Sequence, residues 1–181
     1  MTLFQNKYRI ESTRLKDWDY RSRRWYFVTV CTQNRRPILG KIVDNEMQLS
    51  PIGLIANSEL CALHTHYRNV YVDEHIVMPN HVHALFMIDG EHYCSPRAKA
   101  TLVPPAKRSS IAPESCSLSA IVRSYKAGVT LKCRDLGFRQ EIWQPRFHDH
   151  LLRGDKVIRA VRQYIRNNPA NWAIDRENLP S

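Results

Sequence analysis

His81-Val82-His83 sets two imidazoles two residues apart at the start of a run, His81 to Ile88, whose apolar and β-branched content predicts a strand. Side chains two apart on a strand share a face at a spacing of roughly 6 to 7 Å, so both rings can reach one metal ion while Val82 turns to the core. His148-Asp149-His150 lies on another predicted strand and is geometrically as good. His64 and His66 close a predicted helix, where residues two apart do not share a face, and they make a poor ligand pair. Spacing alone does not choose between the first and last pairs, and alternating histidines also occur in ordinary cores and surfaces.

A second constellation lies near the C-terminus. Val157, Val161, Tyr164, Ile165 and Asn168 form one stripe of a predicted helix. Tyr164 and Asn168 are one turn apart on it, so both can reach a single point. Arg159, Arg162 and Arg166 make a basic stripe beside it, suited to tracking phosphates. The plain alternative is a core tyrosine with its hydroxyl on a carbonyl, and an asparagine that merely ends a helix before Pro169.

Joined, these groups suit one chemistry. Cleaving a phosphodiester needs an in-line nucleophile and positive charge on the non-bridging oxygens, which a metal ion can supply. A tyrosine nucleophile would leave a covalent phosphotyrosine that conserves the bond energy for resealing.

The elements that must position these residues follow from periodicity. Trp25 to Thr32 predicts a first strand, and Asn34 to Pro37 a turn, with a hairpin arm over Ile42 to Leu49. Ser50-Pro51 opens a helix carrying Ile52, Ile55, Ala56, Leu60 and Leu63. Val70 to Met78 and His81 to Ile88 predict two strands joined through Pro79-Asn80. Leu118 to Lys132 predicts a helix and Ile142 to Arg153 a fourth strand. Asp155 is the expected cap of the last helix, which should run to about Asn168. The order predicts an α+β fold, a ferredoxin-like split β-α-β with a mostly antiparallel sheet and helices on one face. One domain is expected over 25–172, after a basic segment 1–24 and before a tail 173–181. The Ser-, Pro-, Ala- and Lys-rich stretch 91–117 reads as a surface loop without fixed structure.

Bulk properties narrow the partners. The 181 residues are 43% hydrophobic and 24% charged, as in an ordinary globular domain. No stretch approaches the roughly 18 uninterrupted apolar residues of a membrane span. The first residues lack the apolar core of a secretory signal, so a cytoplasmic protein is expected. Five cysteines, none as Cys-x-x-Cys, argue against a disulfide framework. Lys and Arg number 27 against 17 acids, a net charge of +10, which favours a polyanionic partner.

MPNHVH (78–83), WQPRF (143–147) and YIRNNP (164–169), in this order, resemble the REP-associated tyrosine transposases. These are relatives of the single-tyrosine insertion-sequence transposases within the HUH (His, bulky apolar residue, His) endonucleases. The resemblance runs from about Tyr20 to Trp172, through 26–40, 72–88, 121–130 and 147–153. It implies His81 and His83 as metal ligands, Asn168 as the third, Tyr164 as nucleophile, and Mg²⁺ or Mn²⁺ as the ion. The implied substrate is single-stranded DNA near a palindromic-repeat hairpin, cut and rejoined through a phosphotyrosine.

The resemblance thus favours His81/His83 over His148/His150, and leaves His150 a supporting role. Tyr125 matches a position often filled by Phe and reads as core. Arg21, Arg23 and Arg24, with Arg159, Arg162 and Arg166, are the expected DNA contacts, and Arg146 and Arg153 are further candidates. Trp25, Tyr26 and Trp143 could stack bases, although each also suits a core. A nucleoid-associated protein acting as monomer or homodimer is the corresponding expectation. Two imidazoles and an amide are a neutral set, whereas Mg²⁺ prefers oxygen. Two other readings remain: a hairpin-binding protein without catalysis, and a zinc hydrolase with a water nucleophile, for which Asp89 and Glu74 are not at a recognised ligand spacing.

Overall fold

The computed structural model describes residues 24–89, 117–175 and 178. Arg21, Arg23, most of the basic segment and nearly all of the 91–117 stretch lie outside the described residues.

The elements in order are β1 (Arg24–Cys31), β2 (Gly40–Val43), β3 (Glu46–Leu49), α1 (Pro51–Cys61), α2 (Leu63–His66), β4 (Val70–Val77), β5 (His81–Ile88), α3 (Leu118–Asp135), β6 (His148–Leu152) and α4 (Asp155–Asn167). Four strands form an antiparallel sheet in the order β4-β5-β1-β6, and β2 and β3 form a separate hairpin. With α1 between β1 and β4 and α3 between β5 and β6, this is the split β-α-β arrangement that the element order predicted. The hairpin turns on Asp44 and Asn45, both with positive φ (50° and 62°), as a two-residue turn matched to strand twist requires.

Strand alternation divides the interior in two. Tyr26, Val28 and Val30 of β1 and Val82, Ala84, Phe86 and Ile88 of β5 pack with α1 and α3 in the main core. The residues between them face the other way, where Leu85, with Trp25 and Phe27 beside it, packs on Ile158 and Ile165 of α4. The helices therefore do not all share one face: α1 and α3 cover one side and α4 the other. Both faces of β1 and β5 carry apolar side chains, so both must be covered.

Side-chain capping explains the starts of α1 and α3. Ser50 Oγ accepts from Gly53 N at 3.1 Å, and Ser117 Oγ accepts from Ala120 N at 3.3 Å. The last helix departs from expectation, since Gly154 (φ 83°) is its cap and makes no side-chain bond. Asp155 sits in the first turn, where its charge still favours the helix N-terminus. The expected strand over 142–153 is shorter. Trp143 makes one isolated bridge to Thr32, and pairing resumes at His148 beyond Gln144-Pro145, where proline has no N–H to give.

Candidate metal and tyrosine site

His81 and His83 lie at the start of β5 on the α4 side of the sheet, and the turn before them is fixed from three directions. Pro79 O accepts from Leu39 N (3.0 Å), and Asn80 O accepts from both Thr32 N and Thr32 Oγ1 (2.9 Å each). Met78 N donates to His81 O at 2.8 Å. Across the sheet His81 is in register with Cys31 and His83 with Thr29.

Both imidazoles are buried, His81 at 0% and His83 at 2% exposure, with ring centroids 4.3 Å apart. His81 Nδ1 is 2.9 Å from Asn80 Oδ1, and His83 Nδ1 is 2.9 Å from Thr29 Oγ1. A neutral tautomer protonated at Nδ1 satisfies both contacts and leaves each Nε2 as a lone pair, the state a metal ligand needs. His81 Nε2 is buried and, among the described residues, has no hydrogen-bond partner. Burial, with the nearby Arg35 charge, pulls the His81 pKa down to about 3. Burial and His81 hold His83 well below its usual range, against a smaller upward pull from Asp175. Both rings are therefore neutral near pH 7.

Tyr164 reaches this point from α4. Its hydroxyl is 3.3 Å from His83 Nε2 and 3.4 Å from Asp175 Oδ2, while the residue is 45% exposed and open to solvent. Phe27 steadies both partners, with its ring centroid 5.0 Å from His83 and edge-on to Tyr164 at 5.9 Å. Asn168, one turn on, is buried. Its Nδ2 donates to Asp175 Oδ2 at 2.8 Å, and among the described residues its Oδ1 has no partner.

Asp175 was not anticipated; it falls in the stretch expected to be a tail. The short 3₁₀ turn Trp172–Ile174 carries it back under α4, where it is 7% exposed. Ligand atoms of His81, His83 and Asp175 all lie within 4.8 Å of one another. No spacing rule links residue 175 to 81, so a lone acid near the C-terminus carried no signal. The donor set fits a divalent cation: the unpartnered His81 Nε2, the His83 Nε2 that faces the Tyr164 hydroxyl, a buried carboxylate, and a buried amide oxygen. The carboxylate also answers the objection that imidazoles and an amide alone would be a poor set for a hard ion.

The other histidine pair is not part of this cluster. His148 and His150 are in register with Thr29 and Phe27 and share the site's face of the sheet. They are exposed and stand two strands from β5, about 10 Å at ordinary strand spacing. Tyr125, 3% exposed, is core between α1 and α3, and burial drives its phenol pKa up.

The basic stripe of α4 divides. Arg162 donates to both carboxylate oxygens of Asp73 (2.6 and 3.1 Å) and lies 5.4 Å over the Trp25 ring. Arg166 is paired with Glu74 at 2.6 Å. A β-bulge between Val72 and Glu74 breaks the strict alternation of β4, which lets two consecutive acids serve one helix. Arg162 and Arg166 flank Tyr164 by two residues on either side, so the pairs moor the helix turn that bears the hydroxyl. Arg159, Arg24 and Arg146 are exposed.

No protein-family model matches the chain. It is 31% identical over 168 residues to an uncharacterized protein of Haemophilus influenzae, covering 91% of this chain and 90% of that one. Among solved structures, a REP-associated tyrosine transposase bound to a REP hairpin superposes with a TM-score of 0.60 at 20% identity, over 90% of this chain and 74% of that one. The chain belongs to one family with the Haemophilus influenzae protein, and its fold is that of the REP-associated tyrosine transposase.

Proposed function

We propose that this protein is a metal-dependent single-stranded DNA endonuclease of the HUH type. It would cut and rejoin DNA, at hairpins of palindromic repeats, through a covalent link to Tyr164. One observation carries the reading: a solvent-reachable tyrosine hydroxyl stands 3.3 Å from Nε2 of one of two buried neutral histidines, with a buried carboxylate alongside. A structural tyrosine would not need that company.

His81, His83 and Asp175 would hold the ion, with Asn168 Oδ1 as a further donor. Mg²⁺ or Mn²⁺ suits the mixed nitrogen and oxygen set, and when bound it would neutralise charge on the scissile phosphate. The remaining work falls to the chain itself. Asn80 and Thr29 hold the imidazoles in the right tautomer. Asn168 orients Asp175 through its amide. The Arg162 and Arg166 pairs keep Tyr164 from drifting off the site. Attack by Tyr164 Oη forms an O–P bond as the bond to the leaving sugar oxygen breaks, and the phenol proton ends on that oxygen as a hydroxyl. Attack by a free hydroxyl end reverses this and restores the tyrosine, with no nucleoside triphosphate needed.

The partner reading rests on charge and on the structural relative. A net charge of +10 favours phosphate contacts, and that relative is bound to a REP hairpin. Arg24 and Arg159, both exposed, with Arg21 and Arg23 of the basic segment, are the arginines assigned that role. All the site groups come from one chain, so a monomer could act alone.

The test uses end-labelled hairpin DNA with Mn²⁺ or Mg²⁺, and Tyr164→Phe in parallel. A covalent protein–DNA adduct on a denaturing gel, absent in the variant, is the expected result. Cleavage that survives in the variant would mean a water nucleophile, and binding without cleavage would leave a hairpin-binding protein.

A further inference from the structure

Asn57, Cys61 and His75 bring three donor atoms together away from the β5 histidines. Asn57 and Cys61 are four residues apart on α1, so they lie one above the other on one face of the helix. His75 of β4 is the register partner of Ala84, which packs in the main core, so its imidazole points to the α1 side of the sheet. There its Nε2 is 3.1 Å from Asn57 Oδ1 and 3.8 Å from Cys61 Sγ. His75 and Asn57 are half-buried, and the exposed Cys61 opens the group to solvent. Burial lowers the His75 pKa, against a smaller upward pull from Glu74, and the ring is neutral near pH 7.

A single imidazole N–H cannot serve both neighbours well, because a hydrogen bond weakens steeply off line. A cation set among three lone-pair donors serves all of them. Around a four-coordinate zinc ion, with Zn–S of about 2.3 Å and Zn–N of about 2.0–2.1 Å, sulfur and nitrogen stand about 3.6 Å apart, and nitrogen and oxygen about 3.4 Å. The observed 3.8 and 3.1 Å depart from those spans by about 0.2–0.3 Å, a gap that small side-chain rotations close.

We propose that Cys61, His75 and Asn57 form a second metal site, for a borderline-soft divalent ion such as Zn²⁺, on the sheet face opposite Tyr164. Thiolate sulfur and imidazole nitrogen are the ligands such ions select, whereas the carboxylate of the β5 cluster suits a harder one. Binding releases the Cys61 thiol proton to solvent, keeps His75 neutral with its proton on Nδ1, and leaves the fourth position to water. The ion ties the C-terminal turn of α1 to β4, the strand whose Asp73 and Glu74 hold Arg162 and Arg166. The site stands whether or not Tyr164 cleaves DNA.

The probe is Co²⁺, which takes the same four-coordinate geometry. Titrated to saturation into the metal-free full-length protein, it should give a near-ultraviolet thiolate-to-cobalt charge-transfer band that Zn²⁺ abolishes on displacing it. The donor atoms of His81, His83 and Asp175 include no thiolate, so an ion held by those three is silent in this band. Cys61→Ser should remove the band, and His75→Gln should weaken the binding it reports by at least about tenfold. Asn57→Asp, which exchanges the amide oxygen for a carboxylate, should tighten it. Circular dichroism checks that each variant keeps the fold. Zn²⁺ should also shield Cys61 from iodoacetamide, read by peptide mass spectrometry, in the parent protein and not in His75→Gln. Absence of the band overturns the proposal, as does a band that survives Cys61→Ser and so belongs to another thiol, such as Cys31 in register with His81. An affinity unchanged by His75→Gln or by Asn57→Asp would leave fewer than three ligands and overturn it as well.

Discussion

Removing Asp73 should unmoor the turn of α4 that carries Tyr164. The Arg162–Asp73 pair is bidentate, with side chains 33% and 14% exposed, so it sits between a surface pair and a buried one. Exposed pairs contribute about 0.2–1 kcal/mol, whereas breaking a buried one costs about 3–5 kcal/mol. About 2 kcal/mol is then expected for Asp73→Ala, and a chain of this size should lose about 4–8 °C in melting temperature. Asp73→Asn keeps one hydrogen bond and should cost about half as much. A double-mutant cycle with Arg162→Ala isolates the pair, and a coupling of about 1–2 kcal/mol by urea denaturation is the expected value. Cleavage should fall more than stability, about tenfold in kcat at a temperature where the variant is fully folded, because a nucleophile loosened by a fraction of an ångström loses its attack geometry. The charge-swapped protein, Asp73→Arg with Arg162→Asp, should recover part of both. A coupling near zero, or full cleavage by a folded Asp73→Ala, would refute the mooring role.

Other outcomes follow from the same geometry. Asp175→Ala should weaken Mn²⁺ binding by at least about tenfold in a calorimetric titration, since it removes the carboxylate that the described residues bring to the cluster; unchanged affinity would exclude it as a ligand. Because His81 and His83 have folded pKa values below the usual 6.5, the native state binds fewer protons than the unfolded one at mildly acid pH. The stability they contribute is complete above about pH 6.5 and is lost as pH falls toward the His81 value of about 3, at up to about 1.4 kcal/mol per pH unit per histidine. His81→Gln should flatten that loss between about pH 7 and pH 5 in metal-free urea unfolding, and an unchanged slope would contradict it. At Gly53 an added Cβ would lie 2.0 Å from the Leu39 carbonyl oxygen, so Gly53→Ala should destabilise by about 2 kcal/mol or more despite alanine's helix propensity.

Much of this was legible before any coordinates, and the reason is local. Val82 turns to the core and His81 and His83 to the opposite face because a strand alternates, whatever else surrounds it. The boundaries of β5 and the Ser50 cap of α1 were read from residue types that fix local dihedrals and satisfy nearby N–H groups. The Gly154 cap was missed because Asp155 has a stronger cap preference in general, and only the positive φ of the incoming chain displaces it. The shortened β6 was missed because the run looked continuous, while Pro145 could not donate to a ladder.

The sequence by itself determined the chemistry on offer: two imidazoles on one strand face, a tyrosine and an asparagine on one helix stripe, and a basic chain. Tertiary structure decided which of these meet. It set His81 and His83 beside Tyr164 and left His148 and His150 two strands away, and it placed α4 on the face opposite α1 and α3. It folded Asp175 into the cluster, and it turned Arg162 and Arg166 onto Asp73 and Glu74 through a single bulge in β4. Periodicity is a property of neighbouring residues, whereas these encounters join positions up to 94 residues apart (81 to 175). Only the packing of the whole chain brings such positions together.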